Sequence, residues 1–173
     1  MRRTPKLELS DGEVPETPVV KKQTAGAGAR ATAKKEYAGL PLVYSCSGCS
    51  SAAQLANTLA LRLDRGKMAE MSCIAGVGGD VRALVKTAVS DRPVVALDGC
   101  SLQCAKQCLD RHGVTPTLHI DLSRSGVRKR FHEDATPEER ERVWSQVVKP
   151  AVSEVNKKAV PAAKKARSTR QGG

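Results

Sequence analysis

Aromatic residues are nearly missing from this sequence: one Phe, one Trp and two Tyr make up 2% of 173 residues. A core must therefore be built from Leu, Val, Ile and Ala, and a surface that stacks bases on aromatic rings has little to work with. No run of about 18 apolar residues exists, so no membrane-spanning helix is expected. The first residues, M-R-R-T-P-K-L-E-L-S-D-G, are basic but have no apolar stretch behind them, so no secretory signal is read. Catalytic signatures are missing too. There is no triad, phosphate loop or carboxylate pair, and Gly76-Val77-Gly78-Gly79 lacks the G-x-G-x-x-G spacing of a dinucleotide site.

Charge and cysteine are present. The net charge of +11 sits mostly at the ends. Residues 1–38 hold eight Lys/Arg against five Asp/Glu and 149–173 hold seven against one, which leaves only +2 for 39–148. Residues 1–38 show no apolar period and bury too little to offset chain entropy, so disorder is expected. The Lys/Ala-rich stretch 151–173, interrupted by Pro150 and Pro161, is expected to fray as well. The folded unit is placed at 39–150. Six cysteines without a secretory signal point to reduced thiols or metal ligands in the cytoplasm.

Within that unit strand and helix signals alternate four times. Pro41–Ser45, Ala69–Ile74, Pro93–Leu97 and Thr117–Leu122 read as strands. Thr117–Leu122 alternates in polarity, as at a sheet edge. Ser50-Ser51 caps a helix with Leu55, Leu59 and Leu63 on one face, ended by Gly66. Asp80 is placed to cap a second helix with Val81, Leu84, Val85, Ala88 and Val89 on its apolar face. A third helix follows Asp98-Gly99 and ends near His112-Gly113. Thr136-Pro137-Glu138-Glu139 starts a fourth, which buries Val143, Trp144, Val147 and Val148 and stops at Pro150. This pattern predicts a small three-layer α/β fold: a short, mostly parallel sheet of about four strands with helices on both faces. Strand order is not readable from it.

In such a sheet the strand-to-helix turns share the carboxyl edge, and sites form there. Cys46 and Cys49 follow the first strand, Cys73 lies near the end of the second and Cys100 follows the third, with Cys104 one helical turn further along. Topology thus gathers five thiols at one rim. Zinc takes four N or S ligands, and C-x-x-C clasps a metal because two intervening residues let both sulfurs turn inward. Cys46, Cys49, Cys73 and Cys100 are the expected ligands, with Cys104 as an alternative ligand or a free thiol. Cys108 reads as packing. Asp98 reads as a turn residue or a support for a ligand, His119 as an ordinary strand residue, His112 as a helix C-terminal residue and His132 as loop.

The segments Y-S-C-S-G-C-S-S, M-S-C-I-A-G-V-G-G and V-V-A-L-D-G-C-S-L-Q-C-A-K-Q-C resemble the DGC-domain family of zinc-binding proteins, over residues 40–148. The resemblance rests on the triplet Asp98-Gly99-Cys100. It implies that Cys46, Cys49, Cys73, Cys100 and Cys104 are the motif cysteines and that metal binding is the activity.

Other readings stay open. Strand, C-x-x-C and helix also describe a thioredoxin-like thiol–disulfide oxidoreductase using Cys46 and Cys49, although Ser45 stands where an aromatic residue usually precedes the motif. Four thiolates serve an iron–sulfur cluster as well as zinc. A catalytic zinc with an open position would make the protein an enzyme. A set of unrelated buried cysteines is a further reading, disfavoured because Cys46 and Cys49 sit at a turn and not on an apolar face. The basic tails would attract nucleic acid nonspecifically; a protein partner is compatible with all of these readings, and none of them involves a membrane.

Overall fold

The structure is a computed structural model that describes residues 36–168, with side chains through residue 158. The expected disorder of 1–38 therefore falls almost wholly outside the described residues. Of that stretch, Tyr37 donates its hydroxyl to Asp64 O at 2.9 Å and Glu36 pairs with Lys67 at 3.1 Å.

Four strands form one sheet: β1 (Leu42–Ser45), β2 (Glu70–Met71), β3 (Val94–Asp98) and β4 (Leu118–Asp121). Their order is β2-β1-β3-β4 and every pairing is parallel. The strands β1 and β3 are buried along their whole length, as parallel strands covered on both faces must be.

The chain leaves β1 toward β2 on one side, then crosses back to β3 and β4 on the other. Crossovers of one hand in opposite directions put helices on opposite faces. On one face α1 (Ser51–Arg65) packs Leu55, Leu59 and Leu63 against Val43, Val95 and Leu97, joined by Val143, Trp144, Val148 and Val152 from the end of the chain. On the other face Leu42, Tyr44, Val94 and Ala96 meet Val77, Ala88 and Leu109 from α2 (Ile74–Gly78), α3 (Arg82–Ala88) and α4 (Cys104–Asp110). The three-layer α/β architecture is as expected.

Local signals placed α1 well. Ser50 Oγ accepts from Ala53 N–H at 3.3 Å, and Gly66 closes the helix by donating to Arg62 O. Thr136 caps α5 (Pro137–Val143) as read, accepting from Glu139 N–H at 3.1 Å.

Four expectations need correction. The second strand, expected over Ala69–Ile74, is only two residues long, and Ile74 with the glycine run after it forms α2. Gly76 allows this by close approach: a Cβ there would lie 2.0 Å from Leu84 Cδ1. Asp80 does not cap α3. It sits at φ +60, Val81 holds the cap position, and Val81 and Val89 are half exposed (49% and 51%), which narrows the apolar face. The third helix starts at Cys104 and not directly after Gly99, because Gln103 takes a left-handed turn at φ +52 first. Finally, the helix does not stop at Pro150: α6 runs Lys149–Ser168.

The sequence prepares that continuation with a wide turn. Trp144–Val148 is a π turn in which Lys149 N–H bonds to Trp144 O, five residues back. A proline clashes with the carbonyl one α-turn earlier, and the wider turn relieves the clash. Val152 is then fully buried and Asn156 donates to Met68 O at 2.9 Å, so the folded body extends beyond 150 to residues expected to fray.

Candidate metal centre

The strand order places its reversal between β1 and β3. At that point neighbouring connections leave in opposite directions and open a crevice at the carboxyl ends. The first residue beyond β1 is Cys46; the first beyond β3 is Gly99. Cys46 N–H donates to Leu97 O at 2.9 Å, and Gly99 N–H returns a bond to Cys46 Sγ at 3.1 Å. The Cys46 side chain is buried.

Each residue of the Asp-Gly-Cys triplet has a distinct task. Gly99 lies against the first turn of α1: a Cβ there would stand 2.5 Å from the carbonyl carbon and oxygen of Ala52 and 2.8 Å from Ala53 N. Only glycine brings the backbone close enough to reach Cys46. Asp98 is completely buried. Its Oδ1 accepts from Ala105 N–H at 2.8 Å, and its Oδ2 from Lys106 N–H at 3.1 Å and His119 Nε2 at 3.0 Å. An ionised carboxylate only accepts, so His119 carries its proton on Nε2. The first N–H groups of a helix need outside partners. Gln103 provides none at the start of α4; Asp98 reaches over and does so, which fixes the position of Cys104, the first residue of that helix. Cys100 is partly exposed in the intervening turn.

The thiols report on one another electrostatically. Burial pushes the Cys46 thiol up to about 12, and negative charge on Asp98, Cys104 and Cys100 pushes the same way, while the Gly99 N–H pulls it down. Burial also raises the thiol of half-buried Cys108, followed by charge on Cys104. Cys108 packs against Gly78, where a Cβ would come to 2.9 Å of its sulfur, in keeping with a packing role. Cys46 is thus tied to the Asp98-Gly99-Cys100 turn through the Gly99 N–H, and Cys104 follows at the start of α4. Cys49 and Cys73 stand exposed at the ends of the β1 and β2 connections.

Soft thiols at a strand-end crevice, one already facing a backbone N–H, suit zinc in donor chemistry. Among the described residues, no three His, Cys, Asp or Glu side chains come close enough to share an ion. The donors fit in kind and partly in place. The helix relation once expected between Cys100 and Cys104 is absent, since Cys100 lies outside α4.

The buried thiol gives a pH dependence. A folded-state value near 12 lies above the ordinary 9.0, so the folded chain holds this proton longer than the unfolded chain does. That stability is fully present below pH 9 and is lost as pH rises toward 12. Metal-free protein is expected to lose stability over that window, by up to about 1.4 kcal/mol per pH unit from this group. The loss is measured as the difference in urea midpoint between the native chain and Cys46→Ala; parallel pH profiles would contradict it.

The direct bond between His119 and Asp98 is what the sequence does not show: it places both near the rim and reads His119 as an ordinary strand residue. The available signal was a histidine on the polar face of an otherwise apolar strand, next to an aspartate that ends the neighbouring one. Tyr44 adds an oddity: its hydroxyl is buried without a hydrogen-bond partner among the described residues. Among those residues no helix is long and apolar enough to cross a membrane.

Comparison with known proteins agrees with the motif. No solved structure matches the chain. The anaerobic and virulence modulator AnvM of Pseudomonas aeruginosa is 62% identical over 108 residues, which is 62% of this chain and 82% of that protein. The DGC domain description matches residues 42–147, nearly the whole span from β1 to the π turn, and the chain belongs to the DGC-domain family.

Proposed function

We propose that the protein binds a metal ion, zinc before others, through cysteine thiolates at the carboxyl edge of the sheet. One observation carries the reading: Cys46 and the Asp98-Gly99-Cys100 turn are joined by the Gly99 N–H to sulfur bond at the point where strand order reverses. Cys46, Cys100 and Cys104 form the nucleus of the site, and Cys49 and Cys73, exposed beyond β1 and β2, are the donors that complete it. When bound, zinc supplies a divalent charge that holds thiolates together or polarises a ligand. Burial raises the cost of a Cys46 thiolate, and the Gly99 N–H offsets part of it. Binding must displace the proton that burial keeps on Cys46.

Metal handling or a structural zinc accords better with the site than thiol–disulfide exchange does. A reactive C-x-x-C presents an exposed first thiol with a depressed pKa. Here the first thiol, Cys46, is buried and pushed up, and the second, Cys49, is the exposed one. The relative AnvM is named a modulator, and this chain is read in the same sense, as a regulatory metal–thiol protein.

The test is elemental analysis of protein purified anaerobically without added metal, beside Cys100→Ala. About one zinc per chain is expected, falling severalfold in the variant. Iron with inorganic sulfide would replace zinc by a cluster, and no metal in either protein would reject the proposal.

A further inference from the structure

Beside the thiols lies a surface that metal binding does not use. The stretch after β4 carries Arg124, Arg128, Lys129 and Arg130. Arg130 is engaged by Glu133 at 3.1 Å and Glu139 at 2.9 Å. Arg124 is 80% exposed and only 3.9 Å from Asp121. Among the described residues no carboxylate pairs with Arg128 or Lys129, and both are exposed. Lys129 Nζ stands 5.1 Å from the centre of the Phe131 ring, itself 54% exposed.

This basic loop is held against the thiol rim. Phe131 bridges Ser50, Ser51 N–H donates to Arg130 O at 2.9 Å, and Arg130 N–H donates to Ser51 Oγ at 3.1 Å. Cys49 is the next residue along. On the other side of the first turn of α1, past Gly99, Leu102 is 63% exposed between Cys100 and Cys104. The loop thus offers Arg128 and Lys129, without a carboxylate partner among the described residues, beside exposed Phe131, and Leu102 is exposed in the Cys100–Cys104 turn.

An acidic, partly apolar strip of chain is the chemistry that fits, and this chain contains one. Residues 7–16, L-E-L-S-D-G-E-V-P-E, hold four carboxylates and no cation in a protein of net charge +11. We propose that segment 7–16 docks in cis on the rim, with its carboxylates against Arg124, Arg128 and Lys129 and its Leu and Val residues against Leu102 and Phe131, covering the exposed thiols.

Reach permits it. The described chain starts beside Asp64 and Lys67, at the far end of α1 from Ser50. A helix of 15 residues is about 22 Å long. The 19 residues from 17 to 35 span up to roughly 60 Å when extended. A tether of that order gives an effective concentration around the millimolar range, so weak intrinsic affinity is enough.

The experiment uses metal-free full-length chain, so its outcome is separate from that of the zinc reading. The native chain is compared with a variant carrying Glu8→Gln, Asp11→Asn, Glu13→Gln and Glu16→Gln. In dilute salt, amide chemical shifts are expected to differ at 49–53, 100–104 and 124–132. Alkylation of Cys49 and Cys104 is expected to speed up roughly threefold in the variant, as docking two-thirds of the time gives. Both differences should vanish at high salt and in an Arg128→Glu, Lys129→Glu background, where the fold stays intact by its remaining shifts. Equal shifts and rates at low salt would overturn the proposal. Shifts that grow with protein concentration would overturn it too, in favour of a second copy as the occupant.

Discussion

Replacing Asp98 with alanine is expected to destabilise the metal-free protein by about 3–4 kcal/mol. The change removes three bonds to a fully buried carboxylate: two from the first turn of α4 and one from His119. A helix cap is worth roughly 1 kcal/mol, and leaving buried donors without acceptors costs about 1–3 kcal/mol more. The loss reaches beyond stability, because Asp98 sets where α4 begins and therefore where Cys104 stands. Supports of this kind change metal affinity about 10–100-fold. Asp98→Asn keeps one acceptor oxygen and is expected to recover part of the stability. Urea denaturation and zinc competition measure the two effects. An alanine variant as stable as the native chain would show that Asp98 fills a turn and no more.

Gly99→Ala is expected to cost about 3 kcal/mol, toward the upper end for overpacking. The added Cβ would meet backbone at 2.5 Å on Ala52, and backbone in the first turn of a helix cannot swing aside as a side-chain tip can. Either α1 moves away from β3 or the Asp98–Cys100 turn does. The second movement breaks the Gly99 N–H bond to Cys46 Sγ, and the first opens the α1 face of the core. Gly113 separates this clash from backbone strain. It has φ +69 and nothing within 4 Å of a Cβ, so alanine there meets only the left-handed penalty of about 1 kcal/mol. Equal thermal midpoints for the two variants would mean that the close approach is not what requires glycine at 99.

These residues also show what a sequence discloses. Asp-Gly after an apolar run announces a turn, and Ser50, Gly66 and Thr136 announce helix ends, because their signals are satisfied within a few residues. The function of Asp98 is not local. Its partners are His119 on the neighbouring strand and two amides of a helix that begins only after a left-handed Gln103. Nothing in the spacing of Cys100 and Cys104 reveals that extra turn, so the two appear to share a helix face when they do not. Pro150 misleads for a similar reason: its exclusion from a helix interior is sound for ideal geometry, and the π turn before it changes the geometry. The meeting of Cys46 with the Asp98-Gly99-Cys100 turn at a shared carboxyl edge follows from parallel strand order and was legible. The exposed positions of Cys49 and Cys73 depend on how their turns are wound, and were not.

The central claim is that Cys46, Cys100 and Cys104 hold one ion in common. X-ray absorption at the zinc edge counts its sulfur neighbours, in the native chain and in the three single cysteine-to-serine variants. Three or four sulfurs near ~2.3 Å are expected in the native protein, with one fewer, or no retained zinc, in each variant. A first shell made mainly of oxygen and nitrogen, or one unchanged by all three substitutions, would contradict the account.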